Sequence, residues 1–244
     1  MPTPPAPCLI LQDASLLLAG RSVLSGLSLR LTEPRIGIIG RNGSGKTSLV
    51  RLLAGLLAPT TGTVRLHGLD PARERKAMLG RIGLVFQNPD RMILFPTVVE
   101  ELAFGLIQQG QPKPQADAAV RAALAADGRG HWADAAISTL SQGQRHYLCL
   151  LSVLLMAPDI LLLDEPLAGL DLPTQARLNR RLAALPQQVI TVSHDPAAVA
   201  QADRVIWLEA GRLRADGPAA AVLADFTAEM ARIGAADADT DLAG

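Results

Sequence analysis

The feature that most constrains how this chain folds is the run Gly40-Arg-Asn-Gly-Ser-Gly-Lys-Thr47. Its spacing is G-x-x-x-x-G-K-[ST]. It stands between an apolar stretch at residues 35–39 and a helically periodic stretch at residues 46–57. A glycine turn from strand to helix can aim several backbone N–H groups at one anion. The helix N-terminus adds partial positive charge at the same point. Strand, spacing and helix together distinguish a phosphate-binding loop from a glycine turn with a solvated lysine. In such a loop Lys46 reaches the β- and γ-phosphates, and the Thr47 hydroxyl is placed for Mg²⁺.

The surrounding pattern is α/β. Short strands are expected at residues 9–12, 15–18 and 27–31, separated by turn residues, and they form an N-terminal antiparallel β subdomain. Further strands are expected at 63–66, 82–86, 160–163, 189–192 and 205–208, with helices between them, which implies a mostly parallel sheet. From 89 to 157 the pattern is helical and reads as an inserted subdomain. There, Thr97 and Glu100 have capping-box spacing behind Pro96. Helices are expected near 115–126 and 142–156. One domain is expected over residues 1–224. The segment 225–244, with five acids and one arginine, reads as an acidic tail with a weak helix and a loose end.

Composition narrows the function. Of 244 residues 49% are hydrophobic, enough for a sizeable core. The 23 basic residues balance 23 acidic ones, and aromatics are 3%, so neither bulk charge nor base stacking points to nucleic acid. Two cysteines, Cys8 and Cys149, cannot make a disulfide framework or a zinc site. Cys149, inside an apolar run, reads as a small buried hydrophobe. The N-terminus lacks a signal-peptide pattern. The longest apolar stretch, residues 148–163, is broken by Pro158 and Asp159 and falls short of the roughly 20 residues a spanning helix needs. The expectation is a soluble chain in the cytoplasm.

A second acidic feature completes the phosphate chemistry. Ile160-Leu-Leu-Leu163 runs straight into Asp164-Glu165. A buried strand thus delivers two carboxylates at its C-terminal end, where ligands bind in open parallel sheets. Asp164 is placed for Mg²⁺. Glu165 is placed to accept the proton of a water attacking the γ-phosphate.

Leu140-Ser-Gln-Gly-Gln144, followed by Arg145, resembles the signature of ATP-binding-cassette (ABC) ATPases, normally Leu-Ser-Gly-Gly-Gln. Gln142 stands where the first glycine is usual. Ser141 lies 23 residues before Asp164. Other landmarks follow in order: Gln87 resembles the Q-loop glutamine, Leu167-Ala-Gly-Leu-Asp171 the D-loop, and His194 in Thr191-Val-Ser-His-Asp195 the switch histidine. The resemblance spans residues 9 to about 224. It implies a RecA-like P-loop NTPase fold that uses ATP and Mg²⁺. The nucleotide would be held by Gly40, Asn42, Gly43, Ser44, Gly45, Lys46, Thr47 and Ser48. Thr47, Gln87 and Asp164 would hold the metal, and Glu165, His194, Lys46 and Gln87 would serve catalysis. Ser141, Gly143 and Gln144 would face the γ-phosphate of a second, head-to-tail subunit. At the position where the family stacks an aromatic residue on adenine, this chain has Leu18.

Residues 85–90 and 95–105 are more distinctive, and resemble energy-coupling-factor importers of vitamins and their cobalt and nickel relatives. The biotin branch is the nearest match. This implies a membrane scaffold subunit and a substrate-binding membrane subunit as partners, a peripheral location on the cytoplasmic face, and no contact between this chain and the solute. Met92, Ile93, Leu94 and Phe95 are expected to form an exposed apolar dock, with Met92 where the family often has glutamine. Cobalt or nickel import is the rival reading. A non-transport ABC ATPase is the rival of another class, although only 53 residues separate Gln87 from Ser141, too few for a long coiled-coil insertion. The guanine-reading Asn-Lys-x-Asp sequence is absent.

Overall fold

The computed structural model describes residues 8–235. The elements run β1 Leu9–Leu18, β2 Arg21–Leu31, β3 Arg35–Ile39, α1 Lys46–Leu53, β4 Thr61–Leu66, α2 Arg75–Met78, β5 Ile82–Val85 and α3 Val98–Gln108. They continue α4 Lys113–Ala126, α5 Gln142–Leu155, β6 Ile160–Asp164, α6 Leu172–Ala183, β7 Gln188–Ser193, α7 Pro196–Val199, β8 Arg204–Glu209, β9 Arg212–Gly217 and α8 Ala219–Ala235.

Two sheets form. One is antiparallel in the order β2-β1-β4, and the other is β5-β6-β7-β3-β8-β9. The second is parallel except for β9, which runs antiparallel to β8. Helix α1 is wedged between the sheets, and its Leu49, Val50, Leu52 and Leu53 join a core that includes Leu9, Leu24, Ile38 and Ile190. Helices α3, α4 and α5 lie between β5 and β6 in sequence and share a core of their own around Leu102, Val120, Leu124 and Leu148.

The two strands expected at 9–12 and 15–18 are one continuous strand. The break is a bulge: the register shifts around Ala14, and Asp13 has φ 46°. Its strain is held by Ser28, whose Oγ accepts from the Asp13 N–H at 3.0 Å and donates to the Asp13 carboxylate at 3.0 Å. Helix α1 ends earlier than its periodicity suggests, with Gly55 at φ 71° turning the chain.

The C-terminal boundary also differs. Helix α8 runs unbroken across residue 224, and Phe226 is 3% exposed, edge-on to Trp207 at 5.3 Å between centroids. The acidic count of this segment hides Phe226, which extends an apolar stripe from Ala219 and Val222, the face that the helix lays on β8. The rest of the expected tail, residues 236–244, lies outside the described residues.

Candidate functional site

The registers of the parallel sheet bring the sequence-predicted residues to one edge. Ile39 pairs with Ser193, so Gly40 leaves β3 beside His194. Asp164 pairs with Val192, and the Glu165 N–H continues that ladder to the Val192 carbonyl at 2.9 Å. Val85 pairs with Leu163, which sends Phe86 and Gln87 out beside Asp164.

The loop before α1 requires its glycines. A Cβ on Gly40 would meet the Leu208 carbonyl oxygen at 2.2 Å and Ser44 Oγ at 2.6 Å. Gly45, the α1 N-cap, has φ 100°, which β-carbon-bearing residues rarely adopt. Lys46 is 7% exposed, and its Nζ donates to the carbonyls of Gly40 at 2.7 Å and Arg41 at 2.9 Å. Burial holds its pKa below the usual lysine value, against the opposing pull of Glu165 and Asp164.

Thr47 Oγ1 donates to Asp164 Oδ1 at 3.4 Å. Asp164 is 5% exposed, and its pKa is raised, first by burial and further by the charge of Glu165. Glu165 is held at every oxygen it offers. Oε1 accepts from the His194 backbone N–H at 2.9 Å and lies 2.7 Å from His194 Nδ1, while Oε2 accepts from Ser193 Oγ at 2.8 Å. The Glu165 backbone is in the left-handed region, φ 53°, where a non-glycine residue is strained. The strain fits a carboxylate that must point across the sheet edge rather than along it.

These groups line a cavity of about 520 Å³ that holds Asn42, Gly43, Gly45, Lys46, Thr47, Ser48, Gln87, Glu165 and His194. Val23 lines it too, and sequence reasoning passed over that residue. Leu18 does not line it, but ends β1 at 38% exposure. An adjoining cavity of about 780 Å³ takes in Thr47, Gln87, Asp164, Gln142 and Arg51. Arg51 was also passed over. It lies one helical turn after Thr47, a spacing that puts both on one face of α1, and its charge lowers the Asp164 pKa against the burial. Two hard oxygens from Thr47 and Asp164, with a Gln87 amide in the same cavity, suit a small divalent cation that keeps most of its ligands as water and phosphate.

Ser141, Gly143 and Gln144 are not gathered into the Lys46 cavity. Ser141 caps α5: its Oγ accepts from the Gln144 N–H at 3.3 Å, and Gln144 Oε1 accepts from the Ser141 N–H at 2.7 Å. The helix start is thereby fixed with its remaining N–H groups facing outward. Gln142 turns toward the D-loop region, where a Cβ on Gly169 would lie 3.1 Å from its Nε2.

The ABC transporter family model matches residues 24–168. The chain belongs to the ABC transporter family. It is 52% identical over 219 residues to the biotin transport ATP-binding protein BioM of Rhodobacter capsulatus, covering 90% of this chain and 94% of that protein. It is 40% identical over 238 residues to the nickel import ATP-binding protein NikO of the same organism, covering 89% of this chain and 92% of that protein. Among solved structures it resembles cbiO1 from Clostridium perfringens, part of the ABC transporter complex cbiONQ. That likeness has a TM-score of 0.76 and 28% identity, and covers 93% of this chain and 96% of the other. The α/β architecture expected from the sequence is thus the fold of ABC ATPases.

The expected apolar dock at 92–95 is not one exposed block. Met92 packs toward the core around Leu150 and Leu163, and its Sδ accepts from the Phe86 N–H at 3.2 Å. Ile93 packs on the helical-subdomain core. Phe95 sits against Phe104 at 5.3 Å, and only Leu94, 66% exposed, stands out. The capping box at Thr97 is also absent. The Thr97 hydroxyl goes to the Glu100 carboxylate and makes no cap bond to the backbone. Instead Glu101, 7% exposed, accepts from the N–H groups of Leu94 at 2.8 Å and Phe95 at 3.0 Å, and so fixes how Leu94 is presented.

Proposed function

We propose that this chain is the ATP-hydrolysing subunit of an energy-coupling-factor type importer whose solute is biotin. The observation that carries the reading is the 52% identity to a biotin transport ATP-binding protein across 90% of this chain. The intact set Lys46, Thr47, Asp164, Glu165 and His194 at one sheet edge supports hydrolysis rather than binding alone.

The proposed chemistry follows from the geometry. ATP phosphates enter the loop from Gly40 to Ser48, where Lys46 exchanges its carbonyl partners for phosphate oxygens. Thr47, Asp164 and Gln87 would hold Mg²⁺, which neutralises charge on the β- and γ-phosphates when bound. Glu165 takes the proton of the attacking water, and Ser193 and His194 keep its carboxylate from rotating away. His194, on the same cavity wall, is also placed to contact the γ-phosphate.

Two subunits pack head to tail. Ser141, Gly143 and Gln144 supply the anion-facing helix start to the partner's ATP, because within one chain they stand apart from Lys46. Leu94 and the neighbouring groove lined by Ile93, Phe95 and Ile137 take a scaffold helix of the membrane partner. The importer reading puts the chain at the cytoplasmic face as a peripheral subunit; no helix among the described residues is long and apolar enough to cross a membrane.

The test is purification of the tagged chain from membranes of its own cell. Two membrane proteins and bound biotin are expected to accompany it. Bound nickel or cobalt would assign the rival solute, and recovery without any membrane protein would overturn the importer reading.

A further inference from the structure

A cavity of about 610 Å³ opens between α5 and α6, and nothing in the hydrolysis chemistry uses its interior. Among the described residues its walls carry four arginines, Arg129, Arg177, Arg180 and Arg181, and no carboxylate. Two of these share one carboxylate, Asp127. Arg129 Nη1 lies 2.6 Å from Asp127 Oδ2, and Arg181 Nη1 lies 2.8 Å from Asp127 Oδ1. They clamp the Tyr147 ring from 4.5 and 4.4 Å, and the Tyr147 hydroxyl donates to Asp127 at 2.7 Å. That network makes a rigid wall. Burial, and then the hydrogen bond to Asp127, push the Tyr147 pKa up to about 12, so the wall stays protonated.

The other two cations are exposed. Among the described residues Arg177 donates to the neutral Thr174 hydroxyl at 2.8 Å and feels the Asp171 charge without a direct ion pair, and Arg180 has no ion-pair partner. Both guanidiniums are therefore available to an oxyanion.

The cavity also reaches a buried polar group with nothing to bond. His146 is 3% exposed, and among the described residues neither of its ring nitrogens has a hydrogen-bond partner. A buried imidazole left unpaired costs free energy that a ligand atom can recover. Around it stand Trp132, Leu170 and Leu178, all less than 10% exposed, which give the cavity an apolar floor.

We propose that this cavity is a second ligand site, separate from the phosphate loop, for a small organic oxyanion. Its charged end lies between Arg177 and Arg180. Its apolar body covers Leu170 and Leu178, and one polar atom meets the His146 ring. The N-terminal end of α5, with Ser141 and Gln144, forms only the rim; His146 lies further along that helix, and the free arginines are on α6. An anion held by the helix start alone would not meet the His146 ring or the apolar floor that define the site.

The probe is phenyl phosphate, an oxyanion on a flat apolar body, with inorganic phosphate as its comparison. Binding to the full-length chain is followed by calorimetry and by the NMR resonances of the four histidine rings. A Lys46→Ala background removes the phosphate loop as a competing site. The expected result is saturable binding in that background, with the His146 ring resonances shifted and inorganic phosphate at least about tenfold weaker. Arg177→Ala with Arg180→Ala, both on the exposed face of α6, is expected to weaken binding by about tenfold or more while leaving the melting temperature in place. Unmoved His146 resonances, loss of binding in the Lys46→Ala background, or equal affinity for inorganic phosphate would each overturn the proposal.

Discussion

Replacing Leu94 by alanine is expected to weaken the hold of this subunit on its membrane partner without weakening the subunit itself. Leu94 is 66% exposed, whereas its neighbours Met92 and Ile93 are tucked into two different cores. Full burial of a leucine side chain is worth about 1.5–3 kcal/mol, so covering its exposed two-thirds supplies about 1–2 kcal/mol. That corresponds to roughly five- to thirty-fold in affinity. Leu94→Glu must also bury a charge, and its loss exceeds that range. The assay is titration of the purified subunit onto the membrane complex in nanodiscs, with thermal unfolding and ATP affinity as controls. The backbone N–H of Leu94 keeps its bond to Glu101 in either variant, so the segment holds its course. Unchanged affinity in Leu94→Glu would refute the reasoning. A collapse of the melting temperature would show that this side chain belongs to the fold rather than to an interface.

Three further outcomes are expected. Mixing Lys46→Ala chains with Ser141→Arg chains restores ATP-dependent pairing seen with neither alone, since one of the two composite sites then carries no lesion; light scattering reads it. Phe226→Ala lowers stability by about 3–5 kcal/mol in denaturant unfolding, because the ring is 3% exposed against Trp207; a loss near zero would mean that α8 is not part of the core. Asp164→Asn stabilises the ligand-free chain at neutral pH, by on the order of 1 kcal/mol or about 2–4 °C in Tm. The sign follows from its raised pKa: the folded state binds the proton more tightly than the unfolded one, so stability falls as pH rises from the ordinary aspartate range through the raised folded pKa. A melting temperature that drops in Asp164→Asn would contradict that burial penalty.

What the sequence reveals here depends on whether a function sits in contiguous residues. The phosphate loop, the Asp164-Glu165 pair and His194 are each readable because a local strand ending places them, and parallel registers then bring the strand ends together. Ser193 could not be singled out. Its role is a hydrogen bond to a residue 28 positions away, created by the β6–β7 pairing. Val23 and Arg51 were missed for different reasons. Val23 reaches the cavity from the antiparallel sheet, and a motif says nothing about that sheet's position. Arg51 does carry a signal, the one-turn spacing from Thr47. Two local patterns misled. The acid content of 225–244 masks Phe226, part of a buried stripe whose value depends on the β8 surface beneath it. The Thr97–Glu100 spacing suits a capping box, yet the side chains bond each other while Glu101 turns back to the preceding loop. Propensity proposes a cap, and tertiary packing decides which carboxylate is used.

The most direct measurement is of Glu165→Gln in the reconstituted membrane complex, with ATP binding, ATP hydrolysis and labelled biotin uptake followed side by side. A carboxamide keeps the shape of the site but cannot take the proton. The expected result is retained ATP binding, an ATP-trapped pair of subunits, and hydrolysis and uptake both reduced by about 10²–10⁴-fold. Hydrolysis near the wild-type rate, or biotin uptake that persists when hydrolysis is gone, would contradict a biotin importer driven by Glu165-dependent ATP cleavage.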